Sequence, residues 1–498
     1  MVLIKRVGST FQLSNSHWLL YLILISLIFG VSGCAPRKPS ALLAHKPLPA
    51  EYEPTQPEVW SLPNGLSVIF TPDPELPLVR GTLYFRGGSL WEEPSQAGAI
   101  SAMGAQMRDG GVGALSADEL DRELEHLAAY LDSSVGGEYG SVEFSCLSSD
   151  IDRVFGLLSD TVLEPRFEPQ RLELWRAKTL ESIRRRKDTP YVPARIAFGQ
   201  LLFDETPYGR VLSSEQVKRI TRLDLLRAHR RMVRPDGAVL AVSGDISRAK
   251  LEHLVVQHLN DWQPRSVKLP APPEVSFKPR PGIYFIEMPF EQATIIMGHQ
   301  GVKRLSEDHI AIKVFNEIFS GSMLSARLIS RIRVQLGLAY SAWGGIIPGV
   351  VRGENVVQLQ TKAPSAGKAI EEGLMVLVDL QSQDVSEQEL EQAKQSIQNS
   401  FVFEFDSSEK LVSRKAALHL LEYPQDYDAS FIPQVLAVSA HDIKTVAKRR
   451  WSIPEMVIVV VGNKESYESI EEMRGRPDSV LYNLPIQRLG FKEALVWR

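Results

Sequence analysis

Apolar and polar positions alternate along several segments of the chain with the two-residue period of a β-strand. The first of these segments follows Asn64-Gly65, a dipeptide that favours a tight turn. Two others, residues 238–244 and 456–462, are continuous apolar runs that end at glycine, which predicts buried strands. The strands predicted from these patterns are residues 66–70, 79–85, 142–146, 238–244, 293–298 and 456–462.

Helical spacing of apolar residues occurs between the strands. Ser116 and Glu119 have the spacing of a capping box, and leucines follow at helical intervals. Strands and helices mixed in this order predict an α+β fold, in which a mostly antiparallel sheet is covered by helices on one side. Further predicted helices lie near residues 171–187, 306–320, 365–381, 387–402 and 435–449.

A proline-rich segment, residues 263–281, divides the chain into two parts of similar size. Proline at this density disfavours both helices and central strands, so we interpret the segment as a stiff linker. Both parts close with a basic stretch, a turn at proline and a buried strand, which indicates two homologous lobes, residues 58–262 and 282–470. Another proline-rich segment, residues 34–57, predicts an extended tether, and residues 471–498 are left as a C-terminal tail.

The N-terminal segment, residues 1–33, has the pattern of a targeting signal. Lys5 and Arg6 precede the uncharged apolar residues 18–30, a run shorter than the ~20 residues that span a bilayer. The sequence Val31-Ser32-Gly33-Cys34 then resembles the lipobox of a bacterial lipoprotein. This resemblance implies a lipid on Cys34 and, because Ala35 rather than aspartate follows, an outer-membrane location facing the periplasm. An uncleaved anchor and a signal without lipid are the alternatives.

Composition excludes several classes of protein. The 498 residues include 56 Lys and Arg against 60 Asp and Glu, a net charge of −4. The chain therefore lacks the excess of positive charge that is typical of proteins that bind nucleic acid. Apolar residues make up 44% and charged residues 23%, which is typical of globular rather than disordered chains. The two cysteines, Cys34 and Cys146, cannot form a disulfide framework.

A succession of short motifs resembles the pitrilysin/insulinase-type metallopeptidases, in particular the bacterial two-domain branch related to mitochondrial processing peptidase. The resemblance covers about residues 58–470 and implies two homologous lobes that form half of a clam-shell chamber. The motifs, in chain order, are Leu62-Pro63-Asn64-Gly65-Leu66, Phe85-Arg86-Gly87-Gly88-Ser89, Glu92, Gly98, Asp188-Thr189-Pro190, Pro207-Tyr208-Gly209-Arg210, Gly321-Ser322-Met323 and Gly337-Leu338-Ala339-Tyr340-Ser341.

The zinc motif of that family is degenerate in this chain. Active members bind zinc through His-x-x-Glu-His on one helix and a glutamate further along, and the glutamate of the motif is the general base. Ser101 and Ala105 stand at the histidine positions, Gly104 stands at the base, and Glu181 keeps the last ligand position. Since a catalytic zinc normally needs three protein ligands, the chain alone is predicted to bind no metal and to be inactive. Plain helix packing for the small residues and a solvated surface role for Glu181 are the alternatives.

Lobe 2 keeps the family's other functional feature. Arg333 stands seven residues before Tyr340, as in the family's Arg/Tyr pair that contacts substrate near the scissile carbonyl. A guanidinium and a phenol provide hydrogen-bond donors for a carbonyl or an oxyanion. The alternative is that Arg333 is an ordinary surface residue and Tyr340 a core aromatic.

These features predict the non-zinc subunit of an envelope-anchored peptidase complex that cleaves peptides or unfolded segments. The chain would supply Arg333 and Tyr340 to a homologous, zinc-bearing partner in a heterodimer, with zinc only in the partner. A peptide substrate would extend a sheet edge. A non-proteolytic scaffold with the same fold is the second hypothesis, and an active zinc peptidase with non-standard ligands is the third.

Overall fold

The computed structural model describes residues 56–491 except residues 205, 265–269, 275–277, 279 and 322. The predicted leader, the lipidation site Cys34 and nearly all of the predicted tether lie outside the described residues. Within the described ranges, no helix combines the length and the apolar character needed to cross a membrane.

The described chain forms two six-stranded sheets, one in each lobe. Sheet 1 has the order β1-β2-β6-β3-β5-β4, and sheet 2 has the order β12-β7-β11-β8-β10-β9. Most neighbouring strands are antiparallel; the parallel pairs are β2 with β6, β7 with β11, and β7 with β12. The strands are β1 Glu58–Ser61, β2 Ser67–Pro72, β3 Leu78–Arg86, β4 Tyr130–Val135, β5 Tyr139–Leu147, β6 Val239–Gly244, β7 Gly282–Glu287, β8 Gln292–Gln300, β9 Ala339–Ile347, β10 Glu354–Lys362, β11 Val457–Gly462 and β12 Ile486–Leu489.

Helices pack on one face of each sheet, and a large apolar core lies between the helices and the sheet. Short 3₁₀ turns and two π-helical turns, Glu317–Gly321 and Ser330–Gln335, connect them. The α-helices are α1 Ala99–Asp109, α2 Ala117–His126, α3 Ile151–Leu163, α4 Pro169–Arg184, α5 Tyr191–Phe203, α6 Ser214–Arg219, α7 Arg222–Met232, α8 Arg248–Leu259, α9 His309–Asn316, α10 Arg327–Ile329, α11 Ala366–Ser382, α12 Glu387–Phe401, α13 Ser408–Leu420, α14 Tyr427–Ala437, α15 Ala440–Arg450 and α16 Lys464–Arg474.

The predicted α+β class and the two sheets covered by helices are confirmed. All six predicted strands exist, and the two apolar runs that end at glycine became β6 and β11, which are buried along their whole length. Ser116 and Glu119 make the predicted capping box at the start of α2. Cys146 is buried in β5, and burial raises the pKa of its thiol to about 12.

The two lobes exchange one helix each, which the sequence pattern does not show. Helix α5 belongs to lobe 1 in the chain but packs on sheet 2, where Phe198 and Leu201 join Val459 in one buried cluster. Helix α13 of lobe 2 packs on sheet 1, where Val412 and Ala416 are buried. Full burial of a large apolar side chain stabilises a fold by about 1.5–3 kcal/mol, so each lobe depends on the other.

The chain continues its regular structure past residue 470, the predicted end of lobe 2. That position falls inside α16, and the segment after it supplies β12, which pairs in parallel with β7. The sequence of β12 does not alternate, because the exposed Gln487 and Arg488 stand side by side between Ile486 and Leu489, so the pattern does not predict a strand.

Candidate functional site

The N-terminus of α1 is held by a buried carboxylate. Glu92 accepts hydrogen bonds from the backbone amides of Gly98 and Ile100, each at 2.8 Å. Arg210 donates to the carbonyl oxygen of Glu92 at 2.8 Å. Burial raises the pKa of the Glu92 carboxyl, and the backbone amides and Arg210 oppose that shift. Three of the sequence landmarks, Glu92, Gly98 and Arg210, therefore meet where α1 begins.

The three residues that replace the zinc motif lie on α1 and offer neither an imidazole nor a carboxylate. Ser101 is exposed, Ala105 is half-buried and Gly104 is buried. At Gly104, α1 lies so close to β4 that an added Cβ atom would fall 2.6 Å from the amide nitrogen of Val135. Because real Cβ atoms do not approach backbone so closely, the observed contact excludes a glutamate at this position.

A buried serine of β4 also bonds to the backbone of α1. The Ser133 hydroxyl donates to the carbonyl oxygen of Gly104 at 2.6 Å and accepts from the amide of Arg108 at 3.0 Å. These two backbone groups are one helical turn apart, so the hydroxyl bridges successive turns of α1. The Arg108 side chain donates to the carbonyl oxygen of Leu131 at 3.1 Å. Helix α1 therefore covers the edge strand β4 at three alternate residues, Leu131, Ser133 and Val135.

Glu181, which stands at the last ligand position, is an exposed residue of α4. Its carboxylate lies 3.1 Å from the guanidinium of Arg184, one turn further along the same helix. An exposed ion pair of this kind contributes little to stability, typically ~0–1 kcal/mol. The structure therefore gives Glu181 the geometry of an ordinary solvated helix face.

Arg333 and Tyr340 lie together at the start of β9, the edge strand of sheet 2. The guanidinium carbon of Arg333 lies 5.4 Å from the ring centroid of Tyr340, within the range of a cation–π contact. The Tyr340 side chain is 82% exposed, which contradicts the alternative of a core aromatic. The pairing of β9 with β10 skips Tyr340, because Ser341 and Ala339 oppose the consecutive residues Gln360 and Thr361. Such a bulge re-aims the side chain of the extra residue, here toward solvent.

Ion pairs hold the segment that carries Arg333. Arg327 donates two hydrogen bonds to Glu389, at 2.7 and 3.0 Å, and Arg331 donates to Glu372 at 2.7 Å. The hydrogen bonds from Arg327 are the main cause that lowers the pKa of the Glu389 carboxyl to about 2. Arg333 follows in the π-helical turn, a local widening of the helix that is common at functional sites.

The outer edge of β9 has backbone groups that pair with no neighbouring strand, and side chains hydrogen-bond to only some of them. Asn316 exchanges two hydrogen bonds of 2.9 Å with the amide and carbonyl of Ile346, and Ser320 bonds to both groups of Gly344. Alternate residues of an antiparallel strand direct their backbone groups to the same side, so Ala342 faces outward as well. Among the described residues, no side chain bonds to the backbone groups of Ala342. The open part of the edge is therefore the stretch beside Tyr340.

Comparison with known proteins gives the family. Residues 68–202 match insulinase (peptidase family M16), and residues 219–397 match the peptidase M16 inactive domain. Together the two matches span more than half of the 498 residues. The chain belongs to the M16 peptidase family.

M16 relatives of this chain include proteins named as proteases and a protein named as a non-peptidase. An uncharacterized zinc protease of Mycobacterium leprae is 26% identical over 362 residues, which cover 71% of this chain and 80% of that protein. The non-peptidase homolog YmxG of Helicobacter pylori is 23% identical over 403 residues, which cover 80% of this chain and 92% of YmxG. The crystal structure of a peptidase M16 inactive domain from Pseudomonas fluorescens matches with a TM-score of 0.74 at 23% identity, covering 82% of this chain and 98% of that one.

The residues at the M16 zinc positions do not fit the metal. A hydroxyl, a hydrogen atom and a methyl group replace the motif, and Gly104 has no room for a side chain. Nowhere in the described ranges do three or more His, Cys, Asp or Glu residues come together as a possible metal site. The third hypothesis, zinc bound by non-standard ligands, therefore has no ligand set in that part of the chain.

Several residues that shape both sites are not evident from the sequence. Ser133 and Val135 close α1 onto β4, and Asn316 and Ser320 bond to β9, but each contact depends on which strand lies beside which helix. The close packing of α1 could have been predicted from the small residues at positions 104 and 105, because a glycine within a helix often marks a close approach of another backbone.

Proposed function

We propose that this M16 homologue, which lacks the zinc motif, is the non-zinc subunit of a peptidase complex. It supplies Arg333 and Tyr340 to the active site of a homologous, zinc-bearing partner, and the two chains enclose a peptide or an unfolded segment of protein. The chain is then a pseudoenzyme by itself and a functional half of an enzyme in the complex.

The observation that carries this proposal is the contrast between the two sites. At the zinc positions, α1 is closed onto β4 by Gly104 and Ser133. At the other site, Arg333 and Tyr340 lie side by side and exposed, on a bulge that turns Tyr340 away from the core. Both side chains are therefore accessible to a peptide or to a partner chain.

The chemistry of the pair fits peptide binding. The guanidinium and the phenol hydroxyl are both donors, so they suit the carbonyl oxygen of a peptide or the oxyanion that forms when the carbonyl is attacked. The outward-facing backbone of Ala342 lies two residues away and offers a short stretch of edge to which a peptide can add as a strand. Strand addition beside two donors fixes both the register and the orientation of the substrate.

The test is co-purification of the chain with its zinc-bearing homologue, followed by a peptide-cleavage assay. The double variant Arg333→Ala with Tyr340→Phe should lower kcat/KM of the complex on the order of 100-fold, the typical effect of removing an oxyanion donor. The chain assayed alone should not cleave. Circular dichroism and size-exclusion chromatography should show an unchanged fold and an unchanged complex.

A matched control uses an exposed arginine and an exposed tyrosine elsewhere in the chain. The double variant Arg227→Ala with Tyr482→Phe should leave kcat/KM unchanged, because both residues are exposed and neither lies at β9. If the Arg333 and Tyr340 variant cleaves as fast as the native complex, the shared active site is wrong.

The proposed location is the bacterial cell envelope, with a lipid on Cys34 that holds the chain on the periplasmic face of the outer membrane. The support is the apolar leader and the sequence before Cys34. Metabolic labelling with a fatty-acid analogue should label the native chain, whereas a Cys34→Ala variant should carry no label and should leave the membrane fraction. Labelling of the variant would contradict the anchor.

A scaffold without proteolysis is the second candidate, and the name of YmxG, a non-peptidase homolog, favours it. It predicts a stable assembly that contains no zinc-bearing homologue. The co-purification experiment distinguishes the two candidates, because only a peptidase subunit should co-purify with a chain that has an intact His-x-x-Glu-His motif.

A further inference from the structure

A cavity of about 1030 Å³, lined mostly by lobe 2, includes none of the zinc positions and neither Arg333 nor Tyr340. Its walls come from α9, β9, α12, α13 and α14, and Tyr84 of β3 adds a side chain from lobe 1. The volume is at the upper end of the range for sites that hold small molecules or the end of a peptide. Trp343 and Phe403 lie at its mouth, where both are exposed.

One wall of the cavity is a packed set of aromatic rings. Phe401 stacks on Phe431 with ring centroids 5.0 Å apart, and Tyr423 packs edge-on against Tyr427 at 4.6 Å. These rings support one another, so the wall exists before any ligand arrives. Aromatic surfaces of this kind favour a ligand with a flat apolar body, because offset or edge-to-face contacts add to the burial of apolar area.

Most charged groups at the cavity already have partners. Lys410 donates to Asp406 at 2.9 Å, and Arg414 bridges Asp428 and Glu404 at 2.7 and 3.0 Å. The carboxylate of Glu317, a further acidic residue of the lining, accepts a hydrogen bond of 2.6 Å from the hydroxyl of Ser396. These groups are held in place by protein contacts and are not available to a ligand without breaking them.

Lys313 of α9 is different. Its side chain lines the cavity, the residue is exposed to solvent, and among the described residues it makes neither a hydrogen bond nor an ion pair. The surrounding protein lowers the pKa of its ammonium group, and the nearby charge of Arg414 lowers it further, while Glu404 opposes the shift. Glu404 is near enough to affect this ammonium group but does not hydrogen-bond to it, so the N–H donors of Lys313 are open to the carboxylate of a ligand.

We infer that this cavity binds a carboxylate carried on an aromatic body, with the carboxylate at Lys313 and the ring against the aromatic wall. Two sources offer that chemistry: a free aromatic acid, and the C-terminal residue of a peptide. The inference does not depend on a zinc-bearing partner, since every residue that forms the cavity belongs to this chain.

The experiment measures binding to the purified full chain by isothermal titration calorimetry. The first pair of probes is indole-3-propionate and its neutral amide, which share the ring and differ in charge. The second pair is the peptide acetyl-Ala-Ala-Ala-Phe with a free carboxylate and the same peptide amidated. The acid of at least one pair should bind five- to tenfold more tightly than its amide.

Variants test whether Lys313 causes this preference. Lys313→Met keeps the length of the side chain and should abolish the preference for the acid, whereas Lys313→Arg should keep it. Lys410→Met is the matched control, because Lys410 lines the same cavity but is paired with Asp406; the preference should remain. Phe403→Ala, at the exposed mouth, should weaken the binding of acid and amide alike. Thermal unfolding of each variant checks that the fold is intact.

Each binding result either assigns the ligand class or overturns the inference. Binding of the small acid alone assigns the site to free aromatic acids, and binding of the peptide acid assigns it to peptide C-termini. The inference is overturned if no probe binds, if acid and amide bind equally, or if a folded Lys313→Met variant keeps the preference. A cleavage assay is not part of this test, so its failure is separate from failure of the proposed function.

Discussion

The edge strand of sheet 1 is covered by a helix, whereas the edge strand of sheet 2 stands partly free. The two regions have the same place in the fold: α1 precedes β4 in the chain as α9 precedes β9, and both strands end their sheets. In lobe 1 a side chain of the strand, Ser133, bonds to the helix backbone. In lobe 2 side chains from the helical segment, Asn316 and Ser320, bond to the strand backbone.

The two edges differ in what lies between the strand and the helix beside it. Gly104 has no side chain, so α1 can lie directly against Val135. Asn316 and Ser320 instead place side chains between the helical segment and β9, and the large cavity opens beside them. The loss of the zinc motif and the close packing of α1 on β4 therefore go together, because the glutamate of an active motif would not fit at position 104.

The strongest test of this view restores the zinc motif by Ser101→His, Gly104→Glu and Ala105→His. The glutamate would clash with the backbone of β4, so the free energy of unfolding should fall by about 3 kcal/mol or more, the upper range for overpacking in a core. The variant should bind no stoichiometric zinc and cleave no peptide. Chemical denaturation and metal analysis provide the measurements.

Ser101→His alone is the control for the restored motif. Ser101 is exposed on the same helix, so this change should alter the free energy of unfolding by less than about 0.5 kcal/mol. A triple variant that is as stable as the native chain and binds one zinc ion would show that the helix and strand separate easily, and the comparison of the two edges would fail.

The sequence predicted the parts of this picture that depend on local patterns. The buried strands β6 and β11 follow from apolar runs, and the Arg333 and Tyr340 spacing pointed to two residues that do lie together. The close approach at Gly104, the bulge at Tyr340 and the exchange of α5 and α13 between lobes depend on contacts far apart in the chain. Alternation and spacing carry no information about such contacts, because they describe one element at a time.

A smaller effect is expected from Ser133→Ala. The change removes the two hydrogen bonds that the hydroxyl makes with Gly104 and Arg108, each worth about 0.5–1.5 kcal/mol, so the free energy of unfolding should fall by about 1–3 kcal/mol. Ser134→Ala is the control, because Ser134 is the exposed neighbour on the opposite face of β4 and should change stability by less than about 0.5 kcal/mol. Equal effects of the two changes, measured by urea denaturation, would mean that Ser133 does not hold α1 to β4.

The smallest effect should come from Glu389→Gln, which tests how the Arg333 segment is held. The pKa of Glu389 lies at about 2 in the folded chain, below its ordinary value of 4.5, so its charge stabilises the fold above pH 4.5 and this contribution is lost as the pH falls toward 2. Because a third of the side chain is exposed, we expect a loss of only about 1 kcal/mol at pH 7. The difference between variant and native chain should shrink steadily from pH 5 to pH 3. Glu387→Gln, an exposed change on the same helix, should have little effect at any pH. A difference independent of pH would show that packing, as at α1 and β4, holds the Arg333 segment as well.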